Sequence, residues 1–239
     1  FDGRTGFKND YQTYNLLLGW DYSTLDRPVF PTKGMSHTVD ATIGLGDSSY
    51  QKLVYRGNVY YPLYKDWIAR GYTKLGYGND LPFYENFYAG GYGSVRGYES
   101  STLGPKSQAY YDAINDPANQ TYSTEEVGGN ALVSFGTELI LPMPFKGDWA
   151  DQVRPVLFAE GGQVFDTSDK EDRTFVNPST GEDTDVPLLT QDNDFRFSAG
   201  AGVTWYTPIG PISLSYAVPF GDKEGDETEK VQFQIGNTF

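Results

Sequence analysis

Arg96 is the residue whose type and setting most call for a chemical partner. It lies in Val95-Arg96-Gly97-Tyr98, inside the glycine-rich stretch from Glu85 to Lys106, where one fixed positive charge stands among small and aromatic side chains. An arginine set this way wants an acid, because its planar fork of donors matches a carboxylate. Two acids further along the chain fall inside strand-like runs. Glu138 falls on the polar side of an alternating run, and Glu160 interrupts the apolar run Val156-Leu157-Phe158-Ala159. An acid in the middle of a strand is costly if it faces lipid or a dry core.

Other chemistries find little support. His37 is the single histidine and cysteine is absent, which argues against a histidine-based triad, a multi-histidine metal site, a thiolate site and a disulfide framework. His37 itself reads as a polar residue near the start of a strand. Acids are abundant but no nucleophile has an activating base, so catalysis is not expected. The net charge is -14, and between Asp166 and Glu229 acids outnumber bases by ten. That balance argues against nucleic acid as a partner. The acids of Asp166 to Asp194 and Asp222 to Glu229 are dispersed and lack the spacing of a calcium loop, so they read as solvated surface charge, with no metal and no cofactor implied.

The elements that must position these residues are strands. Nineteen Tyr, 15 Phe and 28 Gly beside an apolar fraction of only 38% are what alternating strands give, because every second residue faces a polar side. No run approaches the roughly 18 apolar residues of a membrane helix. Alternation marks nine strands: about Tyr11 to Tyr22, Met35 to Gly46, Gln51 to Tyr61, Trp67 to Gly78, Asn130 to Leu141, Val153 to Phe165, Phe195 to Trp205, Ile212 to Val218 and Val231 to Phe239. Most are longer than the ~5 or 6 residues usual in soluble sheets and match a bilayer-spanning barrel strand. The links alternate too. Short or moderate turns join strands at one end, and long segments, Asp80 to Glu126 and the acidic Thr167 to Asn193, join them at the other.

Trp20, Trp67, Trp149 and Trp205 all fall at the short-turn end, as an aromatic girdle at a membrane interface would. The fold class expected is therefore all-β, an antiparallel up-and-down transmembrane barrel with an apolar outer face and a polar lumen. Nine is an odd count for a bacterial barrel, and Phe1 opens without a strand signal, so the chain reads as part of a larger barrel. Its open edges would pair with another copy or curl into a smaller closure.

Pro82-Phe83-Tyr84-Glu85-Asn86-Phe87-Tyr88-Ala89-Gly90-Gly91, then Val95-Arg96-Gly97-Tyr98 and Gly104-Pro105-Lys106, closely resemble the BamA family, central subunits of the bacterial outer-membrane β-barrel assembly machine. The closing Val231-Gln232-Phe233-Gln234-Ile235-Gly236-Asn237-Thr238-Phe239 resembles that family's final strand, and Leu25-Asp26-Arg27-Pro28 with Phe30-Pro31-Thr32 and Gly34 one of its turns. The resemblance implies a sixteen-stranded barrel preceded by POTRA domains, of which residues 1–239 would hold the last nine strands. It implies that the arginine loop folds into the lumen, where Arg96, carried by Val95, Gly97 and Tyr98, contacts Glu138 and Glu160. It also implies a weak seam at the last strand, with Phe233, Ile235 and the terminal Phe239 as its signal and Gly236 permitting a kink.

The function implied is assembly and insertion of other barrel proteins in the bacterial outer membrane, without covalent chemistry. Expected partners are outer-membrane lipid and lipopolysaccharide, accessory lipoproteins and nascent barrel proteins. A two-partner secretion transporter or a pore is the alternative.

Overall fold

The computed structural model describes residues 12–109, 123–143, 147, 150–167, 173–176, 183–186, 189–190, 193–223 and 226–236. Nine antiparallel strands form one sheet in sequence order. They are β1 Thr13–Ser23, β2 Gly34–Gly46, β3 Tyr50–Tyr64, β4 Trp67–Asn79, β5 Ala131–Ile140, β6 Val153–Phe165, β7 Arg196–Thr207, β8 Gly210–Phe220 and β9 Val231–Ile235. Among the described residues, β1 and β9 are the two edges, and no helix is long and apolar enough to cross a membrane.

The alternation in sequence becomes two faces. Leu16, Leu53, Leu75, Leu157, Leu214 and Phe233 point outward and are exposed, while Ser134, Glu160, Ser198, Ser215 and Gln232 point inward and are buried. Since side chains alternate with a period of two, a slip of one residue in any ladder would exchange the faces, and the apolar outer face thereby fixes the register. The core lies on the concave side at the long-loop end. There Phe87, Ala89, Val95, Tyr98 and Leu103 of the loop pack on Val54, Leu132 and Val164 of the wall. Each Val, Leu or Phe side chain so taken from water is worth roughly 1.5–3 kcal/mol.

Links differ as expected between the two ends. β3 and β4 are joined through Lys65 and Asp66, and β7 and β8 through residues 208–209. Trp20, Trp67 and Trp205 stand at that end on the outer face, 55%, 40% and 48% exposed. Trp149 and Phe239 lie outside the described residues. β3 continues past the expected limit at Tyr61 and carries Pro62, with a register irregularity between Pro62 and Tyr64. A proline lacks a ladder donor, so it is tolerated where pairing is already breaking.

The turn between β1 and β2 reaches across the concave side. Asp26 accepts from the Thr32 amide at 2.8 Å and the Thr32 hydroxyl at 2.6 Å, which closes the turn. Arg154 of β6 donates to the Phe30 and Pro31 carbonyls at 2.7 and 3.1 Å, and Phe30 meets Tyr206 of β7 edge-on at 6.1 Å. A contact between the first turn and β6 and β7 requires the sheet to be rolled.

Candidate functional site: a loop braced on the inner wall

The segment after β4 turns back over the concave face. A three-residue 3-10 turn, Phe83–Glu85, begins it, and Lys52 of β3 holds it by donating to the Glu85 carboxylate at 3.0 Å and carbonyl at 2.7 Å. Its glycines let the backbone double back. Ser94 then closes the tight turn through its hydroxyl, which accepts from Gly90 N at 2.9 Å and donates to Gly90 O at 3.0 Å. Gly97 has φ +93, and a Cβ there would lie 3.1 Å from that of Ala217, so a side chain would be both strained and crowded.

This turn delivers Arg96 to the middle of the wall. Arg96 Nε and Nη2 donate to Glu160 Oε1 at 2.9 and 2.6 Å, Nη2 also donates to Glu138 Oε1 at 2.8 Å, and the Arg96 amide donates to Glu160 Oε2 at 2.7 Å. The guanidinium carbon lies 3.5 Å from the centroid of the Phe158 ring. Arg96 is 6% exposed and Glu160 5%. Burial opposes the charge on Arg96, but the Glu160 and Glu138 carboxylates outweigh it and hold its pKa above the ordinary arginine value.

Register explains why these groups meet. Arg70 on β4 stands opposite Glu138 on β5, and Glu138 opposite Phe158 on β6. One row along, Tyr72, Gly136 and Glu160 are in line. A Cβ on Gly136 would lie 2.5 Å from the Tyr72 hydroxyl, so the missing side chain is what lets the Tyr72 ring cross β5 and donate to Glu160 Oε1. Arg70 Nη1 donates to Glu138 Oε2 at 2.9 Å, and Arg70 Nη2 donates to Asn58 Oδ1 at 2.7 Å. Two arginines thus face two carboxylates, with Tyr72 between them.

Val95 and Tyr98 are fully buried. Val95 sits against Gly162, where a Cβ would come within 2.9 Å of it, and the Tyr98 hydroxyl reaches the Phe220 and Phe197 carbonyls at 3.3 and 3.4 Å. The loop also ties to the last strand. Gly97–Tyr98 pairs with Thr228–Glu229, and the Gln232 side chain on β9 donates to Tyr98 O at 2.7 Å and accepts from Gly97 N at 3.3 Å. Phe233 and Ile235 point outward, each 62% exposed, and Gly236, with φ +92, donates its amide to Pro211 O of β8 at 2.8 Å.

The structure therefore brings Arg96, Val95, Gly97 and Tyr98 together with Glu138 and Glu160, and sets Phe233, Ile235 and the three described tryptophans apart on the outer face. Arg70, Tyr72, Phe158 and Gln232 belong to the same constellation and were not singled out in sequence. An arginine and a tyrosine two apart on the polar side of β4 were the available signal. His37 lies on the outer face, its Nδ1 2.8 Å from the Tyr55 hydroxyl. No group of three or more His, Cys, Asp or Glu side chains among the described residues is arranged to hold a metal ion.

A rolled antiparallel sheet, apolar outside and polar inside, with an arginine loop pinned to its inner wall, is the wall of a transmembrane β-barrel. Residues 4–239 match the Omp85 superfamily domain, and the chain belongs to that superfamily. It is 37% identical to the outer membrane protein assembly factor BamA of Neisseria meningitidis serogroup B over 95% of its own length and 29% of that protein's. It is 29% identical to the sorting and assembly machinery component 50 homolog A of Xenopus laevis over 65% of its length and 29% of that protein's. The crystal structure of BamA from Haemophilus ducreyi lacking POTRA domains 1-3 superposes with a TM-score of 0.75 at 32% identity, covering 92% of this chain and 41% of that one. The chain thus spans under a third of the length of these two relatives.

Replacing Arg96 by Ala leaves Glu160 buried without its cation, a change expected to cost about 3–5 kcal/mol. Arg96→Lys should recover part of that, because an ammonium cannot fork across two carboxylates. Limited proteolysis of the loop and urea unfolding in detergent micelles check both; wild-type protection and stability in Arg96→Ala would reject the brace.

The loop's contact with the β8–β9 link should also respond to pH. Hydrogen bonding and charge from Glu227 raise the Glu99 pKa above the ordinary carboxyl value. A raised acid pKa means that the docked loop holds the proton more tightly than the free one, so docking is favoured at low pH and weakens as pH rises through the docked value. Exchange of the Glu99 amide, bonded to Glu227 O at 2.9 Å, should accelerate across that range beyond the intrinsic trend, and Glu99→Gln should flatten the response.

Proposed function

We propose that the chain is part of a bacterial outer-membrane factor that assembles and inserts other barrel proteins, acting through the edge at β9 and without covalent chemistry. The observation that carries this reading is β9 itself. It pairs with β8 over Val231–Ile235, Gly236 with φ +92 still donates to the Pro211 carbonyl at 2.8 Å, and among the described residues its other edge has no strand partner. A row of unpaired backbone groups is a template for an incoming strand. The Gln232 clamp keeps that short strand in place from inside while leaving its outer edge clear.

The names of the Neisseria and Xenopus relatives, both assembly components, support the same reading. So does the occupied concave side, since a loop braced across it obstructs an open pore. The apolar outer face and its tryptophans fit outer-membrane lipid and lipopolysaccharide. Nascent barrel proteins are the clients, and accessory lipoproteins the remaining partners.

A photo-crosslinking residue placed at Val231 or Phe233 in the full-length envelope protein should capture newly made barrel proteins during assembly. Gln232→Ala should lower the yield of folded client by roughly tenfold, the loss of two hydrogen bonds at about 1 kcal/mol or less each. Capture of one dedicated soluble exoprotein instead would indicate transport, and absence of any crosslink would overturn the seam assignment.

A further inference from the structure

The inner wall carries a second charged cluster that the brace does not use. Arg56 on β3 and Lys74 on β4 stand directly opposite each other, both facing the concave side. Like charges in directly opposed positions repel, and a sheet that keeps them needs a reason. Arg56 Nη1 is bonded to Asp40, but its Nε is buried with no hydrogen-bond partner. Lys74 makes no hydrogen bond or ion pair among the described residues, and the charges acting on it are those of Arg56 and Lys52, both positive. Lys52 is already matched by Glu85 at 3.0 Å. Asp40, Arg56 and Lys74 therefore leave one positive charge uncompensated, together with one orphan donor.

Both cations line a cavity of about 410 Å³ beneath the arginine loop, bounded on its far side by Arg96, Tyr92 and Ser213. We propose that Arg56 and Lys74 form a carboxylate-binding site on the lumen wall. The carboxylate accepts from Lys74 Nζ and lies against the accessible part of the Arg56 side chain, which is 36% exposed, and so relieves the cross-strand repulsion. A monoanion balances the single excess charge. The two cations lie on β3 and β4, and the same cavity reaches Ser213 of β8 and Gln234 of β9 on its other side.

Reductive methylation of lysines with 13C-formaldehyde keeps their charge and gives each a resolved NMR signal. In the folded chain in detergent micelles, with the Lys74 signal assigned by its loss in Lys74→Gln, sodium acetate at constant ionic strength should shift that signal saturably. Lys65, on the outer rim beside Tyr64, should not saturate. Arg56→Gln should abolish saturation. Asp40→Asn, which removes an acid and cannot strand a cation in the core, should tighten acetate binding by roughly twofold to fivefold, the range of one partly exposed charge pair. A blocked Gly-Glu-Gly peptide binding as well as acetate assigns the site to acidic side chains of a polypeptide, and acetate alone assigns it to a small free acid. No saturable shift, equal behaviour of Lys65, unchanged affinity in Asp40→Asn, or inorganic phosphate binding at least as tightly as acetate would overturn the proposal.

Discussion

The pairing of Arg96 with Glu160 is the contact on which the rest of the inner structure depends. A buried charge is tolerated only when it is matched and hydrogen-bonded, and here one carboxylate takes three donors from one residue, the guanidinium Nε and Nη2 and the backbone amide. Because the amide takes part, the bond fixes the loop's main chain as well as a side chain. Val95 and Tyr98, on either side, are then driven into the wall, and Gly97 is left where only a glycine fits against Ala217. Remove the ion pair and the apolar anchors, the Lys52 contact to Glu85 and the Gln232 clamp remain, but Glu160 is left buried without its cation.

The brace lies on a wall whose grammar is simple. Lipid outside and water inside impose a period of two on every strand, and hydrogen-bond register then carries inward residues across the sheet in rows. Two neighbouring rows make the site. Tyr72, Gly136 and Glu160 supply one, Arg70, Glu138 and Phe158 the other. Arg70 keeps Glu138 from being an isolated acid beside Glu160, and Tyr72 bridges the rows by donating to Glu160 while accepting from Arg96 at 3.3 Å. The same loop reaches β9 through Gln232, so the inner brace and the strand edge are mechanically one assembly.

Much of this was legible in the chain. Nine strands could be read because the period-two signal repeats in each, and the turn ends because proline and glycine cannot sustain a ladder. Arg96 was legible as a charge wanting an acid, Glu138 as a polar-face residue and Glu160 as a costly acid, and family resemblance joined the three. Arg70, Tyr72 and Phe158 were not, since alternation puts many polar residues on the inner face and only the register tells which of them share a row. Gln232 was hidden for a related reason. It alternates with Gln234 in the same strand, and the height of the loop decides which amide meets Gly97. Alternation places the end of the third strand at Tyr61, whereas β3 runs on through Pro62 to Tyr64 by way of a register irregularity near its end.

A double-mutant cycle between Arg96 and Glu160 tests the central claim most directly. Arg96→Gln, Glu160→Gln and the double variant keep similar volumes, and urea unfolding of the four proteins in the same micelles gives the coupling free energy. The account predicts a coupling above about 2 kcal/mol, toward the upper end for residues sharing a buried network. Additive effects, within about 0.5 kcal/mol, would contradict it.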